Sequence, residues 1–138
     1  MDTPFELTIG SDIMEIPAVS GELEKAMHTH GFSTEDILDT QLAVEEAITN
    51  VIIHGYGRPD GAIGVSCRIS RNLVEIQITD TAPPFDPLSL PDPDLDGAVE
   101  ERRIGGLGVY LIRQVMDEIA YRYEEGKNIL VLVKKRAS

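Results

Sequence analysis

A single cysteine stands among 138 residues, so no internal disulfide can staple the fold. Cys67 lies in a segment that alternates apolar and polar side chains and reads as a small buried hydrophobe of a reducing compartment. Basic side chains are scarce, with 12 Lys and Arg against 24 Asp and Glu, a formal charge of -12. A surface that neutralises a phosphate backbone needs the opposite balance, so direct nucleic-acid binding is not expected; solubility, or docking onto a basic protein surface, fits better. No basic stretch followed by an apolar run opens the chain, and no uninterrupted apolar segment approaches the roughly 18 to 20 residues of a membrane span. A soluble, cytoplasmic protein with no membrane partner is expected. Internal repeats and low-complexity tracts are also missing, and the length suits one domain, residues 1–138, with a real core.

What is present is clear periodicity. Phe5-Glu6-Leu7-Thr8-Ile9 alternates and predicts a strand, and an amphipathic helix follows from about Ile13 to His30, closed by Gly31. Ser33 caps a second helix with Asp36 at its third position, and Ile37, Gln41, Val44, Ile48 and Val51 recur at helical spacing as far as Gly55. Ile63, Val65, Cys67 and Ile69, then Val74, Ile76 and Ile78 beyond an Arg71-Asn72 turn, predict an antiparallel hairpin running into Asp80. Between Thr81 and Ile104 lie Pro83, Pro84, Pro87, Pro91 and Pro93 with several aspartates, a composition that resists regular structure. A loop of that length is expected to be functional, as a nucleotide-gated lid. Helical period returns from Val109 to about Glu118, and Ile119–Tyr123 and Ile129–Val133 predict a closing hairpin turned at Glu125-Gly126-Lys127-Asn128.

Three separated signals carry chemistry. Glu46 and Asn50 lie four residues apart, so a helix points the carboxylate and the amide at one spot. Acidic residues on a helix are ordinarily a solvated face, but an Asn inside an apolar helical run has poor propensity and competes for backbone hydrogen bonds, which suggests a task. Coordination of Mg2+ is such a task, since that ion takes hard oxygens and keeps waters and phosphate oxygens around it. Asp80, where a strand meets the proline-rich loop, is either a turn former or an acceptor for the exocyclic amine of adenine; guanine offers a carbonyl there. Gly105-Gly106-Leu107-Gly108 opens a helix whose free N-H groups suit phosphate, though it lacks the lysine and preceding strand of a P-loop or dinucleotide turn. His54 is either a phosphate contact or a buried histidine at a helix end, the second favoured by the helix dipole. Arg102 and Arg103 are the nearest positive charges to such phosphates, with partner docking and plain solvation as the alternatives.

Glu46-Ala47-Ile48-Thr49-Asn50, Asp80-Thr81-Ala82-Pro83-Pro84-Phe85 and Gly105-Gly106-Leu107-Gly108 resemble the N, G1 and G2 boxes of the Bergerat-fold ATPase superfamily, which includes histidine kinases, gyrase, Hsp90 and MutL. More narrowly, residues 44–56 and the stretch from Gly105 to Tyr123 are similar to the bacterial anti-sigma factor serine kinases, the RsbW and SpoIIAB group, within a likeness running from about Ile13 to Lys134. The resemblance implies a two-layer α/β sandwich, a mixed and mostly antiparallel sheet with helices on one face. It places ATP or ADP between the long helix and a lid at about 81–104. It implies Glu46 as the general base acting on a serine of an anti-anti-sigma STAS-domain protein, Asn50 as the Mg2+ ligand and Asp80 as the adenine contact. Ala82 and Phe85 would flank the base, and Gly105, Gly106, Leu107 and Gly108 would form the phosphate turn. A sigma factor as second partner and a homodimer are implied as well. Ala82 and Pro84 depart from the family, many of whose members carry glycines there. Beside the kinase stand a nucleotide-gated binding module without kinase activity and a plain ATPase that uses water. A detached histidine-kinase domain is disfavoured, because no phosphoacceptor helix pair is present.

Overall fold

Among the described residues five strands form a single sheet in the order β1-β2-β3-β5-β4, where β1 is Asp2–Gly10, β2 is Ala62–Ile69, β3 is Leu73–Asp80, β4 is Glu118–Glu124 and β5 is Lys127–Lys135. The structure, a computed structural model, describes residues 1–89 and 106–137. Every strand pairing among the described residues is antiparallel. The sheet expected as mixed is therefore wholly antiparallel there, and the topology gives the reason. β3 and β4 both oppose β5 and so run the same way, but β5 inserts between them and keeps the crossover pair from touching.

The helices are α1 (Ile16–Thr29), α2 (Thr34–Asn50) and α3 (Gly106–Val115). The helix expected from Ile13 starts as a 3-10 turn over Ile13–Glu15, whose first N-H groups are served by Asp12 Oδ1, 2.9 Å from Met14 N. It becomes α-helical at Ile16, with Pro17 in the first turn, where its missing donor costs nothing. Gly31, at φ +75°, ends it as expected. Ser33 Oγ accepts from Asp36 N at 3.1 Å, so the predicted cap forms. The Asp36 carboxylate, 3% exposed, turns instead to the backbone N-H of Ala137 at 3.1 Å.

α2 does not continue as α-helix to Gly55. After Asn50 it widens into a π-helical turn over Val51–Tyr56, closed by Gly57 at φ +63°. Tyr56 anchors this turn: its hydroxyl donates to Ala62 O at 2.6 Å and accepts from Thr81 N at 2.9 Å. The Tyr56 ring lies flat on Gly61, where a Cβ would sit 2.5 Å from ring carbons. α3 begins earlier than expected and stops at Val115, three residues short of Glu118. Lys134 Nζ, which also reaches Asp39 Oδ2 at 3.2 Å, takes the Val115 carbonyl at 2.7 Å. Within the proline-rich segment a 3-10 turn covers Pro87–Ser89. Residues 90–104 of the expected lid, Arg102 and Arg103 among them, and Gly105 after it lie outside the described residues.

The core is one cluster between the helices and the inner sheet face. Val19, Leu23 and Met27 of α1 and Val44 and Ile48 of α2 press on Ile63, Val65, Cys67, Ile76 and Leu132. Burying such aliphatic side chains contributes about 1.5 to 3 kcal/mol each. Cys67 is fully buried, as its alternating context implied, and burial pushes its thiol up to about 12. No helix among the described residues is long and apolar enough to cross a membrane.

Candidate functional site

α2 presents Glu45 and Glu46 side by side, and the fold treats them differently. Glu45 Oε1 accepts from Ser20 Oγ of α1 at 2.8 Å, which ties it to the interhelical seam. Glu46 faces α3: a Cβ added to Gly108 would lie 2.9 Å from Glu46 Oε2 and 3.6 Å from each end of the Asn50 amide. A side chain at 108 would have to displace the Glu46 carboxylate from this approach. Burial first, and then the neighbouring Glu45 charge, holds the Glu46 carboxyl above the usual carboxylate range. Asn50 Nδ2 is buried without a hydrogen-bond partner among the described residues. An orphaned amide beside a half-buried carboxylate is an uncomfortable arrangement in an empty protein and a useful one beside a polar ligand.

Below these groups a small, mostly apolar cavity opens between α2 and the sheet. Asn50, Ala47 and Gly55 line it from the helix side, Ile78, Asp80 and Leu130 from the strands, and Phe85, Tyr121 and Asn128 from the far wall. Asp80 is 6% exposed. Its Oδ1 accepts from Ala82 N at 3.0 Å and from Asn128 Nδ2 at 2.9 Å, while burial raises its carboxyl and those two bonds oppose the rise. Asp80 thus shapes a turn and also lines the cavity. Ala82 is buried against the π-helical turn, where a Cβ on Gly55 would come within 3.3 Å of the Ala82 methyl. Phe85 stacks on His54 with centroids 6.4 Å apart and planes 28° from parallel. His54 is exposed, a correction to the buried position expected for it, because the π-helical turn rotates it out to meet Phe85.

The structure thus gathers Glu46, Asn50 and Gly108 at one mouth and Asp80 and Phe85 around the cavity, with Ala82 hydrogen-bonded to Asp80. Gly106 and Leu107 open α3, and Gly105 lies outside the described residues. Asn128, read from sequence as a turn residue, is the main omission. It is paired with Asp80 across β3 and β5, is 6% exposed, and also donates to the Ala82 and Pro83 carbonyls at 3.0 and 3.2 Å. A polar side chain leading the apolar run Ile129–Val133 was the available signal. Tyr121, whose hydroxyl donates to Asn128 Oδ1, and Arg113, whose Nη2 reaches Leu88 O at 2.8 Å, were missed as well.

The profile of the histidine kinase-like ATPase domain matches residues 10–134. The serine-protein kinase RsbW of Listeria monocytogenes is 37% identical over 106 residues, covering 73% of this chain and 68% of that protein. The RsbW of Bacillus cereus is 34% identical over 105 residues, covering 73% and 66%. Among solved structures, one holding the RsbU and RsbW domains of a Mycobacterium tuberculosis protein aligns with a TM-score of 0.69 at 17% identity, over 100% of this chain and 34% of that one. The histidine kinase AdeS of Acinetobacter baumannii aligns at 0.51 and 14% identity, over 97% and 68%. These last two likenesses establish the fold. The chain belongs to the histidine kinase-like ATPase family, and its sequence relatives set it among the RsbW serine-protein kinases. ATP or ADP is accordingly its nucleotide.

Proposed function

We propose that this chain transfers the γ-phosphoryl group of ATP to a serine of an anti-anti-sigma STAS-domain protein and, in the alternative state of the circuit, sequesters a sigma factor. The observation that carries the catalytic half is the unequal treatment of the two neighbouring carboxylates. Glu45 is occupied by Ser20, whereas Glu46 stands at the α3 entrance with its proton affinity raised. A base whose pKa lies closer to neutrality is better matched to taking a proton from a hydroxyl during transfer. Glu46 would accept the serine proton, and the N-H groups that open α3 would face phosphate.

The adenine would enter the cavity, with Asp80 accepting from its exocyclic amine and Ala82 and Phe85 beside it. The described bonds to Asp80 fall on Oδ1, which leaves Oδ2 for a base. The orphaned Asn50 amide fits a divalent cation, since rotation about its last bond offers the oxygen in place of the nitrogen. Mg2+ held there would neutralise phosphate charge and orient the transferring group. Asn50 is its one protein ligand in this scheme; among the described residues no three His, Cys, Asp or Glu form a metal cluster.

The acidic surface suits a basic docking face on a partner, and the circuit would work in the cytoplasm as a homodimer. Residues 1–138 act in this scheme as one domain with a lid at about 81–104. The test is transfer from labelled Mg-ATP to candidate STAS proteins, comparing the wild type with Glu46→Gln. Labelled phosphoserine with the wild type alone, at equal ATP binding, is the expected result. Tight binding without a labelled acceptor would instead make the chain a nucleotide-gated binding module, and phosphate release without any acceptor would make it a plain ATPase.

A further inference from the structure

Asn128 stands at the centre of a buried hydrogen-bond network, with one of its two N-H groups shared between acceptors. Its Nδ2 donates to Asp80 Oδ1 at 2.9 Å, Ala82 O at 3.0 Å and Pro83 O at 3.2 Å. Its Oδ1 accepts from Phe85 N at 3.1 Å and from the Tyr121 hydroxyl. One buried amide therefore joins the carboxylate of β3, the backbone on both sides of Pro83-Pro84 and the ring wall of β4, and of these Asp80, Phe85 and Tyr121 line the cavity together with Asn128 itself. We infer that Asn128 is a positioning residue for base selectivity: its N-H end fixes which Asp80 oxygen meets the nucleobase, and its carbonyl end holds Phe85 and Tyr121 at the walls.

The chemistry of the two ends separates their duties. A carboxylate whose Oδ1 is occupied by an amide N-H remains an acceptor at Oδ2 and suits an amino group on the base. Without that N-H the buried carboxylate loses a bond that favours its ionised form, and a protonated Asp80 would offer an O-H, which suits a base carbonyl. Asn128 thus keeps the cavity an acceptor site. The carbonyl end sets wall geometry, which matters to any base alike. This inference rests on the adenine role proposed for Asp80.

Asn128→Asp is isosteric, keeps the acceptor for Phe85 N and Tyr121, and deletes only the donor. Titratable groups around position 128 are Asp80 on β3, Asp86 after Phe85, and Tyr121 and Tyr123 on β4. Two facing carboxyls share one proton as pH falls, and that proton can occupy the place of the lost N-H. The experiment measures ATP and GTP binding by calorimetry for the wild type, Asn128→Ala, Asn128→Asp and Asp80→Asn, with folding checked by circular dichroism. The expected result is a loss of about tenfold or more in the ATP-to-GTP affinity ratio for both Asn128 variants. For Asn128→Asp, part of the ATP affinity returns between pH ~8 and pH ~5.5, referred to the wild type at each pH.

Ratios within about threefold of the wild type in both folded Asn128 variants would overturn the inference, provided Asp80→Asn loses its ratio. A retained ratio in Asp80→Asn would instead overturn the adenine role of Asp80 and the inference with it. Failure of both Asn128 variants to fold would assign the residue to structure alone, which also overturns it.

Discussion

Glu45 and Glu46 share a sequence context and differ by 100° of helix rotation, which is enough to give one a serine partner and the other an opening. Their charges remain coupled, because Glu45 helps hold the Glu46 carboxyl up. Glu45→Gln keeps an acceptor for Ser20 and removes the charge. The acid limb of the transfer rate, which falls as Glu46 gains its proton, should then move to lower pH, and a pH-rate profile under single-turnover conditions checks it. An unmoved limb would show that another group controls it. Glu46 and Asn50 were legible in sequence because helical spacing is a local rule. Asn128 was not, since its partner Asp80 lies 48 residues away and only the strand register brings them opposite.

At the scale of elements, caps and alternation were legible, and departures occur where tertiary contacts override local pattern. Ser33, Gly31 and the β2–β3 hairpin stand where the sequence put them. The π-helical turn was hidden because apolar spacing does not distinguish it from α-helix over one turn; the Tyr56 hydroxyl, bonded to Ala62 O and Thr81 N, and Gly57, whose N-H closes onto Ile52 O, decide it. The chain beyond β5 was hidden too. Arg136 lies 4.0 Å over the Phe32 ring and donates to His30 O, Gly31 O and Arg71 O at 2.6, 2.7 and 2.6 Å. It satisfies carbonyls at the α1 C-terminus while fastening β5 to the α1–α2 corner. Arg136→Ala should cost about 1 to 3 kcal/mol in urea unfolding, and Arg136→Lys should recover only part of it, because an ammonium lacks the planar fork. Equal stability for all three proteins would count against this clasp.

For the whole molecule, two raised carboxyls, Asp80 in the cavity and Glu46 at its mouth, bear on the pH response of the nucleotide-free protein. Asp80 and Glu46 hold protons more tightly folded than unfolded, where ordinary values are 3.8 and 4.5. Their contribution is therefore fully present below those values and is lost as pH rises through the raised ones. Self-repulsion from a net charge of -12 acts in the same direction. Urea unfolding across this window should show stability declining with pH, and a combined Asp80→Asn, Glu46→Gln protein should decline less. An identical slope in both proteins would remove these two groups as the cause. The two hairpin pairings were legible from their turns, but the rest of the sheet order was not, because alternation shows which face is buried and not which strand lies beside which.

That order has a consequence for synthesis. β5 is the last of the five strands along the chain, yet it occupies an interior place in the sheet. A polypeptide emerging from the ribosome therefore holds β3 and β4 with open edges until residues 127–135 appear. Asn128 arrives in the same stretch, so the nascent chain closes its sheet and sets Asn128 against Asp80 in one late event. A fragment released before residues 127–135 would instead expose two strand edges to its neighbours.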